Sequence, residues 1–440
     1  MLTVTAATAT IAPETWTQIR YRVTANTETS QSDESFQPIR PWSSFRIRDY
    51  RLIWIAILCA NTSMHMRNVT SLYQVYHLSG SSMQLGLTGF FQALPFVCFG
   101  LLGGVLADTF NRKKMIVSTQ LLNLVPGAIL GFLTATATIQ VWHIYVLSLI
   151  TASLQVLGGP ARQAIVPSLV PPSHLLNAVT LTTMMQQGTQ LIGPVLSGYL
   201  IDFVGVDKSY FVDAVLLIPS IIAVLSIRSS GQPQHVRKKI GLRSLIEGFE
   251  FLWHTRIVLS LFLLDFFAVL VGYYRPLLPI FASDIFKVGA GGLGALYAAP
   301  AIGALIGSTL VLAAGDINRK GVVAVIATFF FAFNLGFLGI SKWFWMGLIA
   351  VGALGFSDSI SVAIRRTMVQ MLAPDQMRGR ASSFLTVFAQ TTNALGAVIA
   401  GAAAALVGAP NALLVGSVLC AVTIFGVCWA IPQLWQYRSG

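Results

Sequence analysis

Charge is scarce in this chain. Only 10% of its 440 residues are Asp, Glu, Lys or Arg, while 55% are hydrophobic; an ordinary soluble protein is closer to a quarter charged. So few charges exclude a soluble globular domain, whose surface must meet water with polar groups. Acidic residues are the scarcest, 16 against 28 Lys and Arg, which leaves a formal net charge of +12. Cysteine is also rare. Cys59, Cys98, Cys420 and Cys428 lie in apolar runs without CxxC or metal-ligand spacing, and read as buried free thiols. The N-terminus lacks a basic n-region followed by an apolar core, so no cleavable signal peptide is expected. Neither GxxxxGK[ST], HExxH nor GxSxG occurs, which argues against ATP as the energy source and against a membrane enzyme. No cofactor, metal or nucleic-acid partner is expected.

What the chain has is apolar length. A span needs roughly 20 apolar residues to cross about 30 Å of hydrocarbon. Such segments lie at roughly 53–76, 84–107, 115–136, 142–160, 176–202 and 209–227, then at 257–281, 291–314, 321–339, 343–364, 381–406 and 411–431. The chain therefore reads as an all-α integral membrane protein of twelve transmembrane helices. Its expected parts are a disordered cytoplasmic tail (1–45), a six-helix bundle (46–227), a cytoplasmic central loop (228–256), a second six-helix bundle (257–431) and a cytoplasmic tail (432–440).

The two bundles carry traces of duplication. Asn111-Arg112-Lys113 recurs as Asn318-Arg319-Lys320, 207 positions later. Arg162, Pro171, Ala178, Gly193 and Gly198 recur as Arg365, Pro374, Ala381, Gly396 and Gly401, all 203 positions later. Weak matches at equivalent places in a hydropathy pattern mark parallel transporter repeats. Placing both termini in the cytoplasm puts 23 of the 28 basic residues inside, as the positive-inside rule requires. The excess positive charge is thus a topology signal.

The segment Gly104-Val-Leu-Ala-Asp108-Thr-Phe-Asn-Arg112-Lys113-Lys114 resembles the loop signature of the major facilitator superfamily, departing from it at Thr109 and Asn111. With twelve spans and the repeat, the resemblance covers about residues 46–431. The run Gly159-Pro160-Ala161-Arg162-Gln163-Ala164 is similar to the enterobactin-exporter and macrolide-efflux branch, which contains drug:proton antiporters. The resemblance implies a cell-membrane protein with two pseudo-symmetric halves, a monomer that moves a small molecule with a proton as coupling ion. It also implies a conformational gate at Gly104, Asp108, Arg112 and Lys113, repeated at Asp316 and Arg319. Asp108 would pair with Arg112 or with the N-terminal end of the eleventh span near Ser382 and Ser383; the alternative is that this cluster only fixes topology. Gly188, Gly193, Pro194 and Gly198 on the fifth span partly match the Gly-Pro signature of antiporters, with plain helix packing as the other reading.

Ionisable residues within spans are costly and suggest function. Arg67 and Arg275 lie 208 positions apart on the first helix of each half. Lining a shared cavity, two guanidinium groups would bind an anion bidentately; alternatively each pairs with a nearby acid. Asn61 and His65 share one face of the first span, whereas Arg67 points about 200° away from His65. Tyr273 and Tyr274 beside Arg275, and Gln155 on the fourth span, complete the substrate-binding candidates. Asp358 and then Asp265 are the proton-coupling candidates, while Asp213, near the end of its span, reads as structural. The expected function is a proton-coupled exporter of a drug-like or siderophore-like small molecule. The alternative is an importer or anion symporter using Arg67 and Arg275.

Overall fold

The computed structural model describes residues 42–232, 253, 255–315, 317–373 and 375–430, without the side chains of 101, 256, 257 and 375–384. The N-terminal tail, most of the central loop, Asp316 and the C-terminal tail thus lie outside the described residues. From Ser44 onward the chain forms one compact unit.

Twelve long helices run through the described residues, and no strand occurs among them. The first half contains α1 (Arg48–Ser79), α2 (Ser82–Thr109), α3 (Arg112–Ala135), α4 (Val141–Ile165), α5 (Leu175–Val204) and α6 (Val206–Leu225). The second contains α7 (Arg256–Gly272), α8 (Gly289–Ala314), α9 (Lys320–Ile340), α10 (Phe344–Leu372), α11 (Asp375–Val407) and α12 (Ala409–Ala430). Local chemistry sets the turns. Gly80 takes a left-handed φ of 61° and closes the end of α1, and the Ser81 hydroxyl then accepts from the Gln84 amide to start α2. Asn111 caps α3 in the same way through the Lys114 amide.

Ten helical segments are long and apolar enough to span a bilayer by composition alone. The two helices that fall short are α1 and α5, because they carry more polar residues, and many of these point inward. Thr62, Ser63, Arg67 and Thr70 of α1 and Thr182, Thr189 and Ser197 of α5 are buried inside the protein rather than turned to lipid. With 32 residues, α1 reaches about 48 Å, more than the hydrocarbon thickness.

Each half repeats one packing scheme: α1 lies on α5 and α6, and α4 on α2 and α3, just as α7 lies on α11 and α12, and α10 on α8 and α9. The halves meet through α2 against α11 and α5 against α8, a pair of contacts that the same two-fold relates. Both crossings depend on glycine. A methyl group on Gly86 would lie 2.6 Å from the Ala397 carbonyl oxygen, and one on Gly198 2.4 Å from that of Ala290. These crossings sit at the distal end of the molecule, away from the chain termini. There a single apolar core joins both halves, running from Val69 and Tyr210 to Leu293 and Leu354. Toward the termini each half keeps its own core, one around Tyr50 and Ile165, the other around Leu264 and Ile424. The halves thus share one apolar core distally, while toward the termini the described cores are separate.

Candidate functional site

Where the halves meet, they enclose a cavity of about 200 Å³. Its walls come from α1, α2 and α5 of the first half and α7, α8 and α11 of the second, so equivalent helices face one another. Arg275 is the one charged side chain among its seventeen lining residues, and His65 lies with it. Amides supply most of the remaining polarity: Asn68, Gln92, Gln190, Gln390 and Asn393. Tyr273, Tyr297 and Phe96 supply aromatic surface.

Arg67 and Arg275 lie within one position of the 207-residue repeat offset, yet the structure separates them. α1 is helical without interruption from Arg48 to Ser79, so Arg67, two residues past the cavity-facing His65, points into its own bundle. There its Nε donates to Asp213 at 2.5 Å, and its Nη1 donates to the Asn123 side chain at 2.8 Å and to Thr151 at 3.1 Å. Ser63 donates to the other Asp213 oxygen. In α7 the helix stops at Gly272, where the following Tyr273 turns to an extended ψ of 96°. Pro276 cannot continue the ladder, and a 3-10 turn over Arg275–Leu277 follows. The break rotates Arg275 into the cavity, and the Tyr297 hydroxyl holds it by donating to the Arg275 carbonyl at 2.8 Å. The expected arginine pair is therefore corrected to one cavity arginine and one buried ion pair.

Other substrate-binding candidates divide likewise. His65 and Tyr273 line the cavity, whereas Tyr274 is buried in the distal core and Asn61 lies outside the lining. Gln155 belongs to a separate, water-sized cavity of about 10 Å³ inside the first half, with Gln120, Asn123 and Arg162. The acids Asp265 and Asp358 share a small cavity between α7, α9 and α10 with Thr328, Ser357 and Ser361. Arg365 pairs with Asp265, while Asp358 keeps an exposed carboxylate. Asp358 and Arg365 are the repeat counterparts of Gln155 and Arg162, 203 positions earlier. The second half thus carries a carboxylate, Asp358, where the first has the amide of Gln155.

Of the gate contacts expected, the one at the N-terminal end of α11 near Ser382 and Ser383 falls on side chains outside the described residues. Arg112 does not pair with Asp108; its Nη1 donates to the Ala164 carbonyl at 2.9 Å, beside the last residue of α4. Lys113 donates to the Leu225 and Ile227 carbonyls at 2.9 and 2.6 Å, at the end of α6. Cations at helix C-termini complement the partial negative charge there, so this cluster ties the first half together. Asp108 has no ion pair among the described residues, and Arg319 is exposed at the start of α9. Gly104 faces open space; it is Gly103 that lets α4 approach, since a methyl there would lie 2.3 Å from the Val156 carbonyl oxygen. On α5, Gly193 admits α1 at His65, Pro194 and Gly198 admit α8, and Gly188 meets nothing.

One closure element escaped sequence reasoning. Asp202, at the distal end of α5, accepts from the Ala290 and Gly291 amides at 3.0 and 2.6 Å, so a residue of one half caps the first turn of α8 in the other. Tyr76 of α1 donates to Asp284 beside it. The cavity amides were missed too, although a signal existed: Gln187 and Gln190 recur as Gln390 and Asn393 at the 203-residue offset.

Twelve helices in two related halves around a central cavity define a major facilitator transporter. Residues 39–436 match the family described as transmembrane secretion effector, and the chain belongs to that family. It is 27% identical over 363 residues to the enterobactin exporter EntS of Shigella boydii serotype 18, covering 81% of this chain and 85% of that protein. The EntS of Escherichia coli O139:H28 is 26% identical over the same lengths. Among solved structures, a POT family transporter in complex with 5-aminolevulinic acid superposes with a TM-score of 0.71 at 11% identity, over 88% of this chain and 96% of that one. A bacterial homologue of the human lysosomal transporter Spinster, in an inward-facing and unoccupied conformation, gives 0.69 at 15% identity, over 90% and 99%. The protein is a multi-pass membrane transporter and not an enzyme.

Proposed function

We propose that this transporter is a monomer that exports a small molecule across the cell membrane in exchange for protons, with both termini in the cytoplasm. The observation that carries this reading is the cavity itself, built between the two related halves with side chains from both. Rocking the halves about it would expose the same site to either side in turn. Similarity to enterobactin exporters favours export and a siderophore-like or drug-like cargo. Asp358, exposed beside the paired Asp265, is the proton-coupling candidate, because an unpaired carboxylate within a span marks a group that can bind and release a proton during alternating access. Proton-coupled uptake of an anion is the second reading, favoured by Arg275 as the lone cavity charge.

The test is a proteoliposome assay with an imposed pH gradient, a panel of fluorescent drugs and a catecholate siderophore, recording lumenal pH. Cargo moving against the protons establishes antiport. Cargo moving with them establishes symport and removes the exporter reading.

A further inference from the structure

The duplication places a matched pair of amides on each side of the cavity. On α5 the Gln190 Nε2 donates to the Gln187 Oε1 at 3.0 Å; on α11 the Asn393 Nδ2 donates to the Gln390 Oε1 at 3.1 Å. Gln190, Gln390 and Asn393 line the cavity. Each bond fixes its amide while leaving the Gln190 and Asn393 oxygens free to accept and the Gln390 nitrogen free to donate. Together they present hydrogen-bonding groups from both halves of the protein. Arg275 adds one fixed positive charge, and the lining holds no carboxylate.

We propose that this is a headgroup site for singly charged, amide-bearing aromatic acids, in which Arg275 takes the carboxylate and the α5 and α11 amides read the flanking amide. This rests on the transporter reading above and names the cargo class of the same cavity. Three arguments restrict the class. A guanidinium matches one carboxylate bidentately, and a second anionic group would enter a site with no second cation. A cationic headgroup would meet Arg275 with no carboxylate in the lining to offset the repulsion. An apolar headgroup would strip water from the amides without replacing its hydrogen bonds, which costs about 1–3 kcal/mol per orphaned group. The rings of Tyr273 and Tyr297 offer an aromatic group a surface beside the arginine. Size sets the last limit: about 200 Å³ is below the roughly 300–1,000 Å³ of drug-sized pockets, so the site takes a headgroup and any remainder lies beyond the lining residues. Gln190 and Asn393 sit on α5 and α11, one on each side of the interface, so a ligand bridging them is sensed by both halves at once.

The test is calorimetric titration of the full chain in nanodiscs, where binding needs neither gradient nor direction. The probes are N-benzoylglycine, its uncharged amide N-benzoylglycinamide, the dianion N-benzoylaspartate, and 4-phenylbutanoate, which lacks the amide. N-Benzoylglycine should bind at least about tenfold tighter than each of the others, the effect of losing one buried hydrogen bond or charge contact. In Arg275→Gln, N-benzoylglycine and its amide should bind alike. In Asn393→Leu and Gln190→Leu, N-benzoylglycine should weaken about tenfold with 4-phenylbutanoate unchanged; Asn393→Ser, which keeps a hydroxyl, should recover part of the loss. Equal binding of N-benzoylglycine and its amide to the wild type, or no binding of N-benzoylglycine, overturns the proposal without any variant. If that happens while the proteoliposomes still transport, the cargo class is wrong and the transporter reading stands. If binding follows the proposal but no proton gradient drives movement, coupling alone is wrong.

Discussion

Arg67 and Asp213 offer a sharp test of where the first-half charges belong. Their side chains are 5% and 1% exposed, and Arg67 Nε lies 2.5 Å from the carboxylate. Asp213→Asn preserves the shape of the site but leaves a guanidinium in the bundle interior without counter-charge. Breaking a buried pair by removing one partner costs about 3–5 kcal/mol, because the remaining charge is neither hydrated nor paired. That is roughly a hundred- to several-thousand-fold loss in the folded to unfolded ratio. Arg67→Met should cost a similar amount through the stranded carboxylate. The double variant Arg67→Met with Asp213→Asn should recover most of the loss, since no buried charge remains and only the polar contacts of Ser63, Asn123 and Thr151 are disturbed. Stability is measured by titrating the purified protein with SDS and following helical circular dichroism. In parallel, N-benzoylglycine binding should survive in every variant that folds. The reasoning is refuted if Asp213→Asn is as stable as the wild type, or if Arg67→Met folds normally and fails only in binding.

Three further outcomes follow from the geometry. Asp202→Ala removes two charge-assisted hydrogen bonds between the halves, each worth about 1.5–3 kcal/mol, and should shift the protein toward a distally open state; spin labels on the distal ends of α5 and α8 should report longer distances, and unchanged distances would refute the latch. Gly198→Val places methyls against the Ala290 carbonyl, already 2.4 Å from the position of a Cβ, so the distal end should fail to close. Transport should then be lost from a protein that still folds, as judged by a monodisperse profile and normal helical content. Asp358→Asn should abolish movement driven by a pH gradient while leaving cargo exchange between compartments; retention of proton-driven accumulation would remove Asp358 from the coupling role.

Much of the fold was legible because its signals are additive. Apolar length, basic loops and a repeated loop motif each average over many residues, and no single side chain decides them. The site is different, because its geometry turns on a few backbone events. The 208-residue spacing of Arg67 and Arg275 placed both on the first helix of a half, but spacing says nothing about rotation about the helix axis. That depended on Gly272 ending α7 ahead of Arg275 while α1 ran on unbroken to Ser79. Asp202 was invisible for another reason: its partners are two backbone amides 88 and 89 residues away, which have no side-chain signature. Gly104, expected in the gate, meets open space, while its neighbour Gly103 faces α4; only the helical phase separates the two.

The departures from symmetry fall on one side. Arg67 is neutralised within its bundle by Asp213, and Gln155 stands where the second half has Asp358. Each substitution removes accessible charge from the first half and leaves it on the second, where Arg275 faces the cavity and Asp358 is exposed. An anion held by Arg275 repels a carboxylate at Asp358, and loss of that charge then strengthens anion binding, so cargo and proton load together, as symport requires. Exchange requires the opposite, that the protonated form binds cargo more weakly. Asp358→Asn, which mimics the protonated form, therefore separates the two readings by binding alone. Tighter N-benzoylglycine binding in this variant would favour cotransport and weaker binding would favour exchange. An unchanged affinity would remove Asp358 from the coupling role, because two sites without mutual influence cannot couple.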